Sequence, residues 1–178
     1  MRLTTFSDYT LRVLMYLAID PAKQATIPII ANAYGISENH LMKVVHQLAR
    51  AGVVESTRGK GGGIRLARPP AEIRLGQVIR ASEGAAPIVE CQGEQTSSCC
   101  IAPACQLSGI LTRAFDTFYA TLDEYTLADL MGKRRALTRI LIAHEICFIV
   151  MSTSDILSRW GLLKLYIFYC FNSKRVIL

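Results

Sequence analysis

Residues 37–68 decide the fold, and they read SENHLMKVVHQLARAGVVESTRGKGGGIRLAR. The first half of this stretch places apolar side chains three or four positions apart, at Leu41, Val44, Val45 and Leu48. That spacing is typical of a helix with one buried face. The second half contains two short runs that favour strands, about 53–57 and 64–68, on either side of a glycine-rich turn. A helix followed by such a hairpin predicts a recognition helix with a wing.

The residues before this stretch predict two more helices. The first covers 7–19, with Ser7 as its cap and Asp8 in the first turn, where the helix dipole favours a carboxylate. The second covers 27–34 and ends at Gly35, which leads through a tight turn into the helix described above. Two helices joined in this way are typical of a helix-turn-helix. A further helix is predicted after the wing, at about 74–83.

Positive charge is concentrated on the predicted recognition helix and wing. The chain has 178 residues and a net charge of +6, and residues 38–74 contain seven Lys or Arg against three Glu. Charge on groove-facing elements favours double-stranded DNA as the partner. The candidate contacts are Ser37 for a phosphate, Asn39, His40 and Lys43 for base edges in the major groove, and Arg58 and Lys60 for the minor groove.

A cysteine-rich loop is predicted over residues 84–105. It contains no Lys or Arg, and its thiols follow the spacing Cys91-x7-Cys99-Cys100-x4-Cys105. Because no secretory signal is evident, clustered thiols point to metal or redox chemistry and not to disulfides. Such thiolates suit an iron–sulfur cluster or zinc, and the spacing alone leaves both open, together with incidental thiols.

Helical periodicity returns at about 106–124, where the apolar positions are Leu107, Ile110, Leu111, Ala114, Phe115, Phe118 and Leu122. An apolar stripe of this size in a small chain needs a partner surface, and pairing with a twofold mate predicts a homodimer. Thr126 and Asp129 are typical of a cap and its reciprocal acid for a short helix at 127–131. No stretch reaches the roughly 18 apolar residues of a membrane span, so no membrane partner is expected.

The predicted architecture is mainly α, a winged helix-turn-helix with a cysteine loop and a long dimerisation helix. Residues 1–83 form the DNA-binding domain, 84–105 the cluster-binding loop, and 106–143 the dimerisation helix with a short C-terminal helix. Residues 144–178 are an atypical apolar tail of uncertain role. Since its composition shifts abruptly and its apolar residues share no face, a misread reading frame is favoured over an added helix or a membrane-surface segment.

Several motifs resemble the Rrf2 family of winged-helix iron–sulfur regulators. They are TFSDY at 5–9, SENHLMKVV at 37–45, QLARAG at 47–52, RGKGGGIRL at 58–66, CIAPAC at 100–105 and YTLADL at 125–130. The resemblance extends from residue 1 to about 143 and is strongest to the nitric-oxide-sensing repressors of the family. It implies a homodimer that binds operator DNA and releases it when nitric oxide nitrosylates a [2Fe-2S] or [4Fe-4S] cluster.

The resemblance also implies a ligand set for the cluster. The three thiolates of the family correspond to Cys91, Cys99 and Cys105, and the fourth ligand of some members, an Asp from the other subunit, corresponds to Asp8. Asp8 has a simpler explanation as a carboxylate at a helix N-terminus. Cys100 is an additional thiol beside Cys99, either a substitute ligand or a bystander.

Three rival functions remain. The first is a regulator of the same family that senses iron–sulfur or iron status, although Gln106, Leu107 and Ser108 do not include the His ligand of the iron–sulfur-status branch. The second is a small electron-transfer or thiol-redox enzyme, which would need a substrate cleft or a reactive CxxC pair. The third is a zinc-stabilised DNA-binding protein without a sensing role. The favoured interpretation is a cytoplasmic regulator that is not an enzyme.

Overall fold

The computed structural model describes residues 2–59, 61–84, 89, 92, 99–101 and 104–141. The elements in chain order are α1 (Thr5–Ile19), α2 (Ile27–Tyr34), α3 (Glu38–Arg50), β1 (Val54–Thr57), β2 (Gly63–Leu66), a 3₁₀ turn (Pro70–Glu72), α4 (Leu75–Glu83), α5 (Leu107–Asp123) and a 3₁₀ helix (Asp129–Lys133). Residues 134–141 are again helical. The predicted mainly α fold with a helix-turn-helix and a wing is confirmed.

The start of α1 differs from its prediction. Thr4 is the N-cap, because its hydroxyl accepts a hydrogen bond from the Ser7 backbone N–H at 3.2 Å. Ser7 is fully buried inside the helix, and its hydroxyl lies 2.8 Å from that of Ser82 in α4. The prediction that Ser7 caps α1 is therefore wrong, since a second hydroxyl three residues earlier takes that position.

One hydrophobic core joins α1, α2, α3 and the hairpin. The predicted buried face of α3 is confirmed, since its four buried residues are Leu41, Val44, Val45 and Leu48. Among the largest fully buried side chains are Leu14, Ile30, Leu41, Ile73 and Leu127. Each such side chain contributes about 1.5–3 kcal/mol on burial, and Leu127 shows that the segment after α5 also packs into this core.

The wing is an antiparallel hairpin that is tied to the segment between α1 and α2. β1 pairs with β2 from Val54 opposite Leu66 to Thr57 opposite Gly63. The Ala25 N–H donates to the Ile64 carbonyl at 2.9 Å, and the Ile64 N–H donates back to the Ala25 carbonyl at 2.8 Å. A Cβ at Gly63 would lie only 2.8 Å from the Ala25 carbonyl oxygen, so this close approach requires glycine.

Helix α5 packs against α4 through a small polar joint. The Arg80 guanidinium lies 2.8 Å from an Asp123 carboxylate oxygen and 4.8 Å from the centroid of the Tyr119 ring. Beneath this pair, a Cβ on Gly76 would come within 2.3 Å of the Asp123 carboxylate and 2.7 Å of the Tyr119 carbonyl. The glycine thus allows the two helices to approach closely at this point.

The short element after α5 begins two residues later than predicted and is a 3₁₀ helix instead of an α-helix. The predicted pairing of Thr126 with Asp129 is present, because the Asp129 carboxylate accepts from the Thr126 N–H at 2.6 Å and from its hydroxyl at 2.7 Å. These two hydrogen bonds hold the pKa of Asp129 below its ordinary value. Both bonds close a tight turn, after which the chain continues as the 3₁₀ helix.

Candidate nucleic-acid interface and cysteine loop

The outer face of α3 carries the candidate base-reading residues. Ser37 is the N-cap of the helix, and Asn39, His40 and Lys43 follow within its first two turns. All four side chains are exposed, because the buried stripe of α3 occupies the opposite face. The N-terminal end of a recognition helix is the part that contacts base edges in a major groove. The structure therefore places these side chains on the exposed face at the N-terminal end of α3.

His40 lies at one edge of this face. Its ring centroid is 6.1 Å from that of Tyr9 in α1, with the ring planes tilted by 42°. About two turns further on, the Gln47 side-chain amide donates to the Ala81 carbonyl of α4 at 2.7 Å. This flank of α3 thus faces α1 and α4, which leaves Asn39 and Lys43 nearer the centre of the outward face.

Five further exposed residues of α3 were not among the candidates from the sequence. They are Glu38, Met42, His46, Ala49 and Arg50. Met42 is an apolar side chain on this face and is 49% exposed. Apolar groups on a recognition helix contact the methyl group of thymine. Helical spacing alone could have separated Met42 from the buried set, because position 42 does not share the three- or four-residue spacing of the buried positions.

The tip of the wing presents Arg58, which is exposed, whereas Lys60 lies outside the described residues. Gly59 and Gly61 have φ values of 99° and 82°, which side chains rarely adopt, so glycine shapes this turn. Arg65 is paired with Glu55 across the hairpin. Within the described part of the chain, neither Lys43 nor Arg58 forms an ion pair, so both charges are available to phosphates.

The cysteine loop is described only in part. The Cys99 and Cys100 side chains are exposed, and the Cys105 thiol is half-buried two residues before α5. Cys91 lies outside the described residues, as do the cysteines of the tail and the tail 144–178 itself. Among the residues that are described, no three His, Cys, Asp or Glu side chains group closely enough to hold one metal ion. Soft thiol donors of this kind fit an iron–sulfur cluster.

Asp8 lies at the surface of the first turn of α1. Its carboxylate is 2.9 Å from the Arg12 guanidinium, and its side chain remains 48% exposed. Arg12 in turn lies 5.9 Å from the centroid of the Tyr34 ring. Burial raises the pKa of Tyr34 to about 12, which keeps the phenol neutral beside that cation. The structure thus leaves the Asp8 carboxylate accessible from outside the subunit, with an ion pair to hold it in place.

A second network joins the start of α1 to the end of α4, where the cysteine loop begins. Glu83 accepts hydrogen bonds from the Thr4 N–H at 2.8 Å and from the Thr4 hydroxyl at 3.0 Å. Burial acts to raise the pKa of Glu83, but hydrogen bonds from Ser7 and Thr4 outweigh it and lower the pKa. The entrance of the loop is therefore anchored to the same helix turn that carries Asp8.

The part of the chain that the structure describes contains no helix long and apolar enough to cross a membrane.

Comparison with known proteins identifies relatives of this chain. The sequence model of the Rrf2 family, described as "Iron-dependent Transcriptional regulator", matches residues 3–133. The HTH-type transcriptional regulator NsrR of Bacillus subtilis is 44% identical over 146 residues, covering 82% of this chain and all of the relative. NsrR of Shouchella clausii is 42% identical over 132 residues, covering 74% of this chain and 89% of the relative.

Solved structures with the same fold include two other regulators. T. potens IscR is 26% identical, with a TM-score of 0.60, over 75% of this chain and 88% of that one. CymR, the global cysteine regulator of B. subtilis, is 30% identical, with a TM-score of 0.59, over 75% of this chain and 98% of that one. The similarity therefore spans the helix-turn-helix, the wing and the long helix that follows.

Proposed function

Because this chain belongs to the Rrf2 family of transcriptional regulators, we propose that it is a nitric-oxide-sensitive repressor that binds operator DNA as a homodimer. The family resemblance predicted from the motifs is confirmed by this membership. The NsrR relatives, at 40–44% identity, support the choice among members of the family. The proposal includes a cytoplasmic location, as expected of a protein that binds chromosomal DNA.

The exposed outer face of α3 beside the hairpin is the observation that carries the DNA-binding part. Asn39 and Lys43 contact base edges in the major groove, and Ser37 contacts a phosphate at the helix start. Arg58 and Lys60 at the wing reach the adjacent minor groove. Residues 1–83 form the DNA-binding domain in this proposal.

Helix α5 supplies the dimer contact. None of its residues is buried within the subunit, and Leu107 and Ile110 are 54% and 50% exposed. A second subunit packed against this helix about a twofold axis would cover both side chains. The same contact would set the separation of the two recognition helices. Two half-sites are read together only when that separation matches the DNA repeat.

The cysteine loop, residues 84–105, holds the sensor. Cys91, Cys99 and Cys105 bind the cluster, and Asp8 of the other subunit is its fourth ligand. When bound, the cluster would supply iron that reacts with nitric oxide. The residues of the chain connect the cluster to the helices. The thiolates link the loop to α5, and Asp8 links the loop across the dimer to α1. Losing these links frees the spacing of the recognition helices.

The test is anaerobic purification, followed by an absorption spectrum and an operator-binding titration before and after stoichiometric nitric oxide. We expect a coloured protein that contains iron and sulfide and loses DNA affinity as its spectrum changes. Cys99→Ser should lose the colour, and the neighbouring Cys100→Ser is the matched control that should keep it. A colourless protein with stoichiometric zinc, or DNA binding that is indifferent to nitric oxide, would contradict the proposal.

The DNA contacts are tested separately from the sensor. Lys43→Ala and Arg58→Ala should weaken operator binding, and a lost phosphate contact lowers the salt dependence by about one unit of slope. A base contact instead relaxes sequence preference at one position by about 1–3 kcal/mol. Arg65→Ala is the matched control, since Arg65 is already paired with Glu55.

The alternative is a regulator of the same family that senses iron–sulfur or iron status. The similarity to T. potens IscR is the observation that favours it. In that case operator affinity would follow cluster loading, and nitric oxide at stoichiometric amounts would have no separate effect.

A further inference from the structure

A single glutamine connects the cysteine loop to the long helix. The Gln92 side-chain amide nitrogen lies 2.9 Å from the Thr112 hydroxyl, 3.1 Å from the Ser108 carbonyl and 3.2 Å from the Ser108 hydroxyl. All three oxygens belong to the first two turns of α5. Among the described residues of the loop, Gln92 is the one whose side chain is hydrogen-bonded to this helix.

This hydrogen-bond network requires a side chain at position 92 that can donate to several oxygens. Two amide protons of Gln92 serve three oxygens, and the Thr112 hydroxyl itself donates to the Ser108 carbonyl at 3.0 Å. A carboxamide NH₂ is a donor only, so a side chain without that group cannot replace it. Gln92 is half-buried, which shields these bonds from full competition with water.

The position of Gln92 gives the contact its meaning. Gln92 directly follows Cys91, and Ser108 lies three residues after Cys105. The contact therefore joins the residue that follows one proposed thiolate to the helix that begins two residues after another.

We propose that Gln92 is a positioning residue that transmits the state of the cysteine loop to α5, the helix that sets the separation of the recognition helices. This inference rests on the proposed function and deepens it. Gln92 binds no iron and contacts no DNA. It docks the loop on α5, so that a change in the thiolate links moves the helix instead of being absorbed by the loop.

The first test uses the apo protein and needs no cluster. Gln92→Ala and Thr112→Val should each accelerate amide hydrogen exchange at residues 108–113 several-fold, with dimer mass and helix content unchanged. Gln106→Ala is the matched control, since Gln106 is an exposed glutamine at the α5 N-terminus whose side chain makes no cap hydrogen bond. Unchanged exchange in Gln92→Ala would overturn the docking contact.

The second test measures coupling as the ratio of operator Kd in the apo protein to that in the cluster-loaded protein. Coupling between two sites typically amounts to roughly 5–150-fold. We expect the ratio to fall at least about fivefold in Gln92→Ala and Thr112→Val, with iron content retained, and to stay unchanged in Gln106→Ala. The double variant should lose no more than either single one, because both remove the same link.

The outcomes separate this inference from the proposed function. A wild-type ratio in Gln92→Ala, or an equal loss in Gln106→Ala, overturns the role of Gln92 even when the protein responds to nitric oxide. If the wild-type protein shows no difference between its apo and loaded forms, the proposed function fails, and the exchange measurement still decides whether Gln92 docks the loop.

Discussion

The recognition helix α3 and the long helix α5 are both amphipathic, but they differ in how far their apolar residues are buried within the subunit. In α3 the four apolar positions of the stripe are buried inside one subunit. In α5 no residue is buried, and Leu107 and Ile110 are about half exposed. The same sequence pattern therefore gives an apolar stripe that is buried within the subunit in α3 and one that remains partly exposed in α5.

The difference separates a helix whose apolar stripe is covered within one subunit from a helix whose stripe one subunit leaves exposed. Helix α3 is held by α1, by the hairpin and by the Gln47 contact to α4. Helix α5 contacts α4 chiefly, at the joint of Arg80, Tyr119 and Asp123. The outer face of α3 is therefore built within one subunit, and in the proposed dimer α5 sets its spacing from a second such face.

The largest effect should come from placing a charge on the open stripe. Ile110→Asp introduces a carboxylate that a dimer interface would bury without a partner. We expect a monomer by light scattering with the helix-turn-helix still folded, and roughly 100-fold or weaker operator binding, since linking two sites is worth about 10²–10⁴. Ala120→Asp, at an exposed position of α5 that is not part of the apolar stripe, is the matched control. A dimeric Ile110→Asp would show that α5 is not the interface.

A core truncation in α3 should be next in size and different in kind. Leu41→Ala removes a side chain that is 1% exposed and should lower the free energy of unfolding by about 2–5 kcal/mol. Because the contact lies within one subunit, thermal melts should show the same loss at low and high protein concentration. Ile110→Ala should instead destabilise the protein only at concentrations where it is dimeric. Equal behaviour of the two variants would remove the distinction between the helices.

The first half of the chain could be predicted from sequence because its signals are local. The buried face of α3, the glycine that ends α2 and the hairpin all follow from spacing and turn residues. The cap of α1 was predicted wrongly, because Thr4 and Ser7 both have hydroxyls that can cap a helix and the buried contact of Ser7 with Ser82 in α4 is not visible in the sequence. Tertiary contact overrides local preference there.

The candidate site was predicted less evenly. The exposed residues of α3 follow from helical spacing, but the ring contact of His40 with Tyr9 depends on how α1 crosses α3. The Gln92 contact joins residues 16 positions apart and has no periodic signature. The ligand set Cys91, Cys99, Cys105 and Asp8 stays a prediction, because it rests on resemblance and involves a second subunit.

The joint between α4 and α5 offers a smaller test of the same comparison. Gly76→Ala puts a methyl group against Asp123 and Tyr119, so α5 must shift, and we expect a loss of about 1–3 kcal/mol. Gly109→Ala, near the start of α5, meets open space within the subunit and should gain about 0.5–1 kcal/mol from helix propensity. Urea unfolding of both variants measures the difference. Opposite signs are expected, and a neutral Gly76→Ala would mean that the close approach is not required.

The smallest effect concerns Glu83, which joins α4 to α1 at the loop entrance. Its pKa lies below the ordinary value of 4.5, so its hydrogen bonds stabilise the folded protein above that pH. This stability is lost as the pH falls through the folded-state pKa, where the carboxylate is protonated. Glu83→Gln should therefore be less stable than wild type at neutral pH and approach it in acid, with Glu72→Gln as an exposed control. A difference that is constant with pH would assign the contact to packing alone, and then the link between α1 and the loop would not depend on charge.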